Sequence, residues 1–223
     1  MKTLHMKKKT ILVAAIAVML VAALVVGGTL AYFTDTKSAD NVFTMGNVAI
    51  TLDETDVSNP DARTTRGNTY NVYPGQTVKK DPIVHNTGKN AAYIRATVNV
   101  SNWMNLVAAY YPDFKETFPN DGYKAALNLL VGELGKGWSV VDVVAGDTFT
   151  IGQFDAKFIL KYDGTLAAGA DTTAMFQNVI VPAGLDNANA SSFSSVKVVA
   201  QAIQADGFAT WDDAFKAFDA AQK

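Results

Sequence analysis

The sequence predicts a mainly β protein behind an N-terminal export segment, and three observations carry that expectation. Apolar and polar residues alternate over many short stretches, turn residues separate those stretches, and the one long apolar run is confined to the N-terminus. Short strands with one apolar face each require a second layer to cover that face, so two sheets packed face to face are expected.

The N-terminal segment comes first. Lys2, Lys7, Lys8 and Lys9 form a positive head, and residues 11–26 contain no polar side chain. Gly27-Gly28-Thr29-Leu30-Ala31 follows, small and flexible. A charged head, an apolar run and a small pair at Thr29 and Ala31 make a secretory signal, with cleavage before Tyr32. The run is shorter than the ~20 residues that span a bilayer comfortably. The chain therefore divides into a signal peptide (1–31), a mature N-terminal segment (32–47) and one domain (48–223).

Within the domain, Val48, Ile50 and Leu52 alternate with Ala49 and Thr51. Ala92, Ile94, Ala96, Val98 and Val100 alternate with Tyr93, Arg95, Thr97 and Asn99. Phe154, Ala156, Phe158, Leu160 and Tyr162 repeat the pattern. Further strands are expected at 78–85, 139–144, 148–151, 175–181 and 195–204. Pro74-Gly75, Asn86-Thr87-Gly88, Asp163-Gly164 and Pro182-Ala183-Gly184 supply the turns. Three helices interrupt the strands. One holds 103–111 and stops before Pro112; one places Tyr123, Leu127, Leu130, Val131 and Leu134 on a face and closes at Gly135. The third carries Trp211, Phe215 and Phe218, with Thr210 and Asp213 suited to a capping box. The polar stretch 53–70 is expected to be a long exposed loop.

Charge and composition narrow the function. The chain has 19 Lys and Arg against 21 Asp and Glu; removing residues 1–31 takes four of the basic residues and leaves 15 against 21, about −6. An acidic, sparsely charged surface does not suit nucleic acid or anionic lipid. The absence of cysteine excludes thiolate catalysis, a lipidated cysteine and a disulfide framework. There is no Leu-Pro-x-Thr-Gly sorting signal, and no membrane anchor is expected after cleavage.

The run Gly27-Gly28-Thr29-Leu30-Ala31-Tyr32-Phe33-Thr34-Asp35, continued by Lys37-Ser38 and Asn41-Val42-Phe43-Thr44-Met45-Gly46, resembles the start of the TasA/camelysin (CalY) family. The similarity continues through Tyr73-Pro74-Gly75, Asn86 with Gly88, and Tyr93-Ile94-Arg95. It returns at Ala202-Ile203-Gln204-Ala205-Asp206-Gly207-Phe208. The resemblance implies Gram-positive export with cleavage by a SipW-type signal peptidase, and a jelly-roll β-sandwich with a few short helices at loops and C-terminus. It also implies a place in extracellular biofilm-matrix fibres built by donor-strand exchange.

No catalytic constellation stands out beside it. His85 is the one histidine after residue 31, no His-Glu-x-x-His occurs, and a hydrolytic zinc site ordinarily takes three protein ligands. Camelysin-type members are described as metallopeptidases, but this donor set is poor for that chemistry, so no enzyme activity, metal or other cofactor is expected. Asp53, Glu54, Asp56 and Asp61 lack calcium-loop spacing. Trp103, Trp138 and Trp211 each sit in an apolar pattern and read as core rather than as a glycan platform. Phe33, Val42, Phe43 and Met45 in the mature N-terminal segment are the candidate donor-strand residues, because an extended segment can add to a neighbour's open sheet edge. The expected partners are further copies of the chain, together with related matrix subunits. A monomeric adhesin-type module is the competing class, and a camelysin-like peptidase a third.

Amino-terminal sequencing of the exported protein should return Tyr32-Phe33-Thr34 as its start, and a bulky residue in place of Ala31 should leave the precursor uncut. A start at Gly27 or earlier, or a form left uncut, is the contrary result.

Overall fold

A computed structural model of the chain describes residues 34–38, 48–110, 120–145, 155–185 and 195–222. One sheet has five antiparallel strands in the order β1 (Thr34–Ser38), β10 (Val196–Gln204), β6 (Ala92–Val100), β8 (Ala156–Tyr162) and β7 (Trp138–Ala145). A second has β3 (Asn59–Thr64), β2 (Ile50–Asp56) and β5 (Ile83–Asn86), and a short pair joins β4 (Thr77–Lys79) to β9 (Asn178–Ile180). Three helices complete the described residues: α1 (Trp103–Tyr110), α2 (Asn120–Val131) and α3 (Trp211–Ala221). The mainly β architecture with short helices is the one the alternation predicts.

The layers meet where the alternation places apolar side chains. Ala92, Ile94, Ala96, Val98 and Val100 of β6 have no exposed surface; they share one core with Ile50 and Leu52 of β2, Val84 of β5, and Phe158 and Leu160 of β8. Each large side chain so buried contributes about 1.5–3 kcal/mol relative to exposure. Helices α1 and α2 close one end, with the Trp103 ring stacked on Tyr123 and meeting Phe158 edge-on at 4.9 Å. All three tryptophans are buried, so core packing is their use.

The outer face of the five-stranded sheet is covered at β6 and β10 by α3. Trp211, Phe215 and Phe218 form a second apolar cluster with Tyr93 and Ile203, and Trp211 Nε1 donates to the Ile94 carbonyl at 2.8 Å. Arg95 stands at its centre. Its guanidinium lies 4.4 Å from the Phe215 ring centroid and bonds both Asp219 carboxylate oxygens at 2.7 and 2.8 Å. At the start of α3 the Asp213 amide donates to Thr210 Oγ1, the N-cap half of the capping box read from the sequence, while Asp213 Oδ2 accepts from the Thr210 hydroxyl and not from its amide.

Four local expectations change. Residues 53–70 are not a loop throughout: β2 runs on to Asp56 and returns as β3, with a register shift at Thr55/Asp56. The strand expected at 78–85 is broken into β4 and β5, because Pro82 offers no amide to a ladder and Asp81 is held by Thr55. Only Asn178–Ile180 of the 175–181 stretch is strand; Met175 and Phe176 instead enter the core as fully buried side chains. Helix α2 ends at Gly132 (φ 72°), not Gly135, and Gly135 is constrained differently, since a Cβ there would lie 1.8 Å from the Ala174 carbonyl oxygen. The strand expected at 148–151 lies outside the described residues.

Replacing Phe215 by alanine should cost about 3–5 kcal/mol, whereas Arg95→Ala, which removes a ring contact and a half-exposed ion pair, should cost about 1–2 kcal/mol. Urea unfolding midpoints of the two variants measure the difference, and equal losses would mean that the guanidinium, not the rings, holds α3.

Candidate functional site

Thr29, Ala31, Tyr32, Phe33, Val42, Phe43 and Met45 lie outside the described residues. The described residues nearest to them in the chain are β1 and the segment that begins at Val48. Strand β1 pairs with β10 in an antiparallel ladder, Thr34 opposite Ile203 and Ser38 opposite Val199. It is the edge strand of its sheet. Strand β10 continues past it: Val196, Lys197 and Val198 pair with β6 on one side and extend beyond the β1 register on the other. Beside this stretch, which no other described strand pairs on that side, opens a cavity of about 270 Å³, with Leu52, Pro82, Val196 and Val198 as apolar wall and Glu54, Asn68, Lys80 and Lys197 among its polar lining.

A polar network occupies the β2–β3–β5 sheet next to that cavity. Asp81 is nearly buried; it accepts from the Thr55 amide at 2.7 Å and from Thr55 Oγ1 at 2.8 Å, and Arg63 bridges it to Asp53. Burial opposes the Asp81 charge, but the Thr55 bonds and Arg63 outweigh it and hold the carboxyl below the usual carboxylate range. Asn86, also buried, donates to the Asn90, Leu166 and Ala167 carbonyls and accepts from the Gly88 amide, tying the end of β5 to the segment that follows β8. Sequence reading found Asn86 as a turn residue and passed over Asp81; the adjoining Pro82, which breaks the strand there, was the available signal.

His85 joins three elements. Its Nδ1 is 2.7 Å from Asp171 Oδ1, and its Nε2 is 2.9 Å from Asp53 Oδ2, an ion-pair contact without the alignment of a good hydrogen bond. Burial of the ring opposes protonation, yet the two carboxylates outweigh it and raise His85 above the ordinary histidine value. With a carboxylate on each nitrogen, at opposite sides of the ring, the imidazole offers no free lone pair toward an ion shared with either aspartate. Among the described residues, no group of three or more His, Cys, Asp or Glu is arranged to hold a metal.

Residues 5–118, just over half of the 223-residue chain, match the family described as camelysin metallo-endopeptidase. The chain belongs to the TasA/camelysin family. No curated protein and no solved structure matches it. The family description implies a metal, and the one described histidine does not fit it as it stands: His85 is engaged by Asp171 and Asp53, one on each ring nitrogen. Among the described residues no helix is long and apolar enough to cross a membrane.

The His85 contacts set a direction for pH dependence. A histidine whose folded value is raised stabilises the fold below the unfolded value of about 6.5, and that contribution is lost as pH rises through the folded value. Asp53 and Asp171 face the ring, and Arg63 competes for Asp53 from β3. Urea unfolding at pH 5.5 and at pH 8.5 should show a greater loss of stability across this window for the native chain than for His85→Gln. Equal losses would show that folding leaves the His85 value unchanged.

Proposed function

We propose that the protein is a secreted structural subunit that polymerises into extracellular matrix fibres by donor-strand exchange between copies of itself. The observation that carries this reading is the placement of β1: a strand in the N-terminal segment ahead of the domain, held on the edge of the five-stranded sheet by one neighbour, β10. A strand so placed can leave and be replaced in the same register by the strand of another copy, and head-to-tail replacement does not close on itself. Strand β1 runs toward Val196–Val198 of β10, which no described strand pairs on that side, and the segment after it carries Val42, Phe43 and Met45 in the sequence. The apolar-walled cavity beside Val196 and Val198 suits side chains of that kind.

The other edges are poorer acceptors. Strand β3 carries Pro60, which has no amide to donate, and the charges of Asp61 and Arg63. Strand β7 is interrupted by a register shift between Val140 and Asp142. Family membership supports an extracellular place, with a SipW-type peptidase as the export partner and related matrix subunits as further partners. The family description also keeps the peptidase reading in view. The pairing of His85 with Asp53 and Asp171 supports a non-catalytic role instead, and our reading is that the chain is not an enzyme.

Electron microscopy of purified 32–223 should show fibres, and a variant lacking 32–45 should remain folded by circular dichroism and form none. Serine at Val42 and Phe43 should act like the deletion, because each apolar side chain seated in a neighbour contributes about 1.5–3 kcal/mol. Normal fibres from the truncated chain would defeat strand exchange. Casein cleavage that chelator abolishes and His85→Ala removes would establish the peptidase reading in its place.

A further inference from the structure

Glu54, near the end of β2, is 5 % exposed and does not take part in the Asp81 and His85 contacts. Its two carboxylate oxygens hold two different nitrogens. Oε2 is 2.6 Å from Lys80 Nζ, and Oε1 accepts from Asn68 Nδ2 at 3.0 Å. The lysine is itself withdrawn from solvent, its side chain 11 % exposed. The asparagine is oriented without ambiguity: Nδ2 donates also to the Thr55 carbonyl at 2.8 Å, and Oδ1 accepts from the Val57 amide at 3.0 Å.

We propose that Lys80, Asn68 and Glu54 are a self-modification site that joins Lys80 Nζ to Asn68 Cγ in an intramolecular amide bond. The arrangement supplies each part of an acyl transfer. A lysine amine is the nucleophile, a carboxamide the acyl donor, and one buried carboxyl touches both the attacking and the departing nitrogen. The Val57 amide on Oδ1 is placed to stabilise the negative charge that develops on that oxygen.

The step balances without an added reagent. Glu54 takes a proton from Lys80 Nζ along their contact, which discharges both groups without separating charge. The freed amine lone pair attacks Asn68 Cγ, forming the new C–N bond and a tetrahedral centre. Glu54 returns its proton to Nδ2, the Cγ–Nδ2 bond breaks, and ammonia leaves; the second proton lost from Nζ restores the carboxyl. One lysine amine and one carboxamide become one secondary amide and one ammonia. The motion required is rotation of the flexible Lys80 side chain from the carboxylate to the carbon beside it. Asn68 and Lys80 both line the 270 Å³ cavity, which gives ammonia a way out. The bond would close the segment between the β2–β3 hairpin and β5 in a chain that has no cysteine for a disulfide. This inference stands apart from the fibre reading, since a monomer would form the bond equally well.

Intact-mass measurement of the purified full chain, held at neutral pH and referenced to its sequence as processed, should show a loss of about 17 Da, the mass of one ammonia. Trypsin should then release a branched peptide joining residues 67–79 to 80–89. Lys80→Arg and Glu54→Gln, each verified as folded by circular dichroism, should keep the unmodified mass, and trypsin should then cut after residue 80 and release 67–79 and 81–89 unlinked. A native chain at its unmodified mass would overturn the proposal. So would a loss of ammonia that persists in Lys80→Arg, since that would place the change in an asparagine succinimide.

Discussion

Strand β6 is the constraint on which the rest depends. It is paired along its length with β10 on one side, and over Arg95–Val100 with β8 on the other, so neither edge can slip without breaking a ladder. Its inward residues are fully buried between the layers, while outward Tyr93 and Arg95 meet α3. A slip of one residue would send Ile94 and Val98 outward and Arg95 into the core. The buried face thus fixes the register of β10, and the register of β10 fixes which of its residues β1 pairs with.

Polar groups tie the smaller sheet together where apolar area is scarce. β3 is largely exposed and β5 is four residues long. Asp81, Asn86 and His85 each bond across chain separations that no local pattern encodes: Asp81 to Thr55, Asn86 to Leu166 and Ala167, His85 to Asp171. A buried polar atom left unpaired costs about 1–3 kcal/mol, so these contacts specify one arrangement more than they add net stability. The same withdrawal from water that makes the network specific leaves Lys80, Glu54 and Asn68 together with few competitors for their hydrogen bonds.

The family name and the site chemistry point in different directions, and geometry explains how both hold. Membership rests on residues 5–118, which include the N-terminal segment and the strands through β6. Metal-dependent hydrolysis needs several donors converging on one point with an open position. Here Asp53, Glu54, Asp81 and Asp171 are held by His85, Arg63, Lys80 or the Thr55 amide. Family membership by itself does not carry a site with it.

The sequence by itself determined the class of fold, the N-cap of α3 and the use of the tryptophans. It could do so because period-two alternation over β6 and the Thr210–Asp213 spacing are local properties of the chain. It left 53–70 as a loop because charged, polar residues such as Asp53, Asp56, Asp61 and Arg63 carry no apolar stripe, and that hairpin forms through ladder bonds and ion pairs. Only the tertiary structure decided which polar groups meet. Glu54 with Lys80 and Asn68, Arg95 with Asp219 and His85 with Asp171 are neighbours because two layers fold onto each other. Contacts between residues far apart in the chain follow from packing, and packing is a property of the whole molecule.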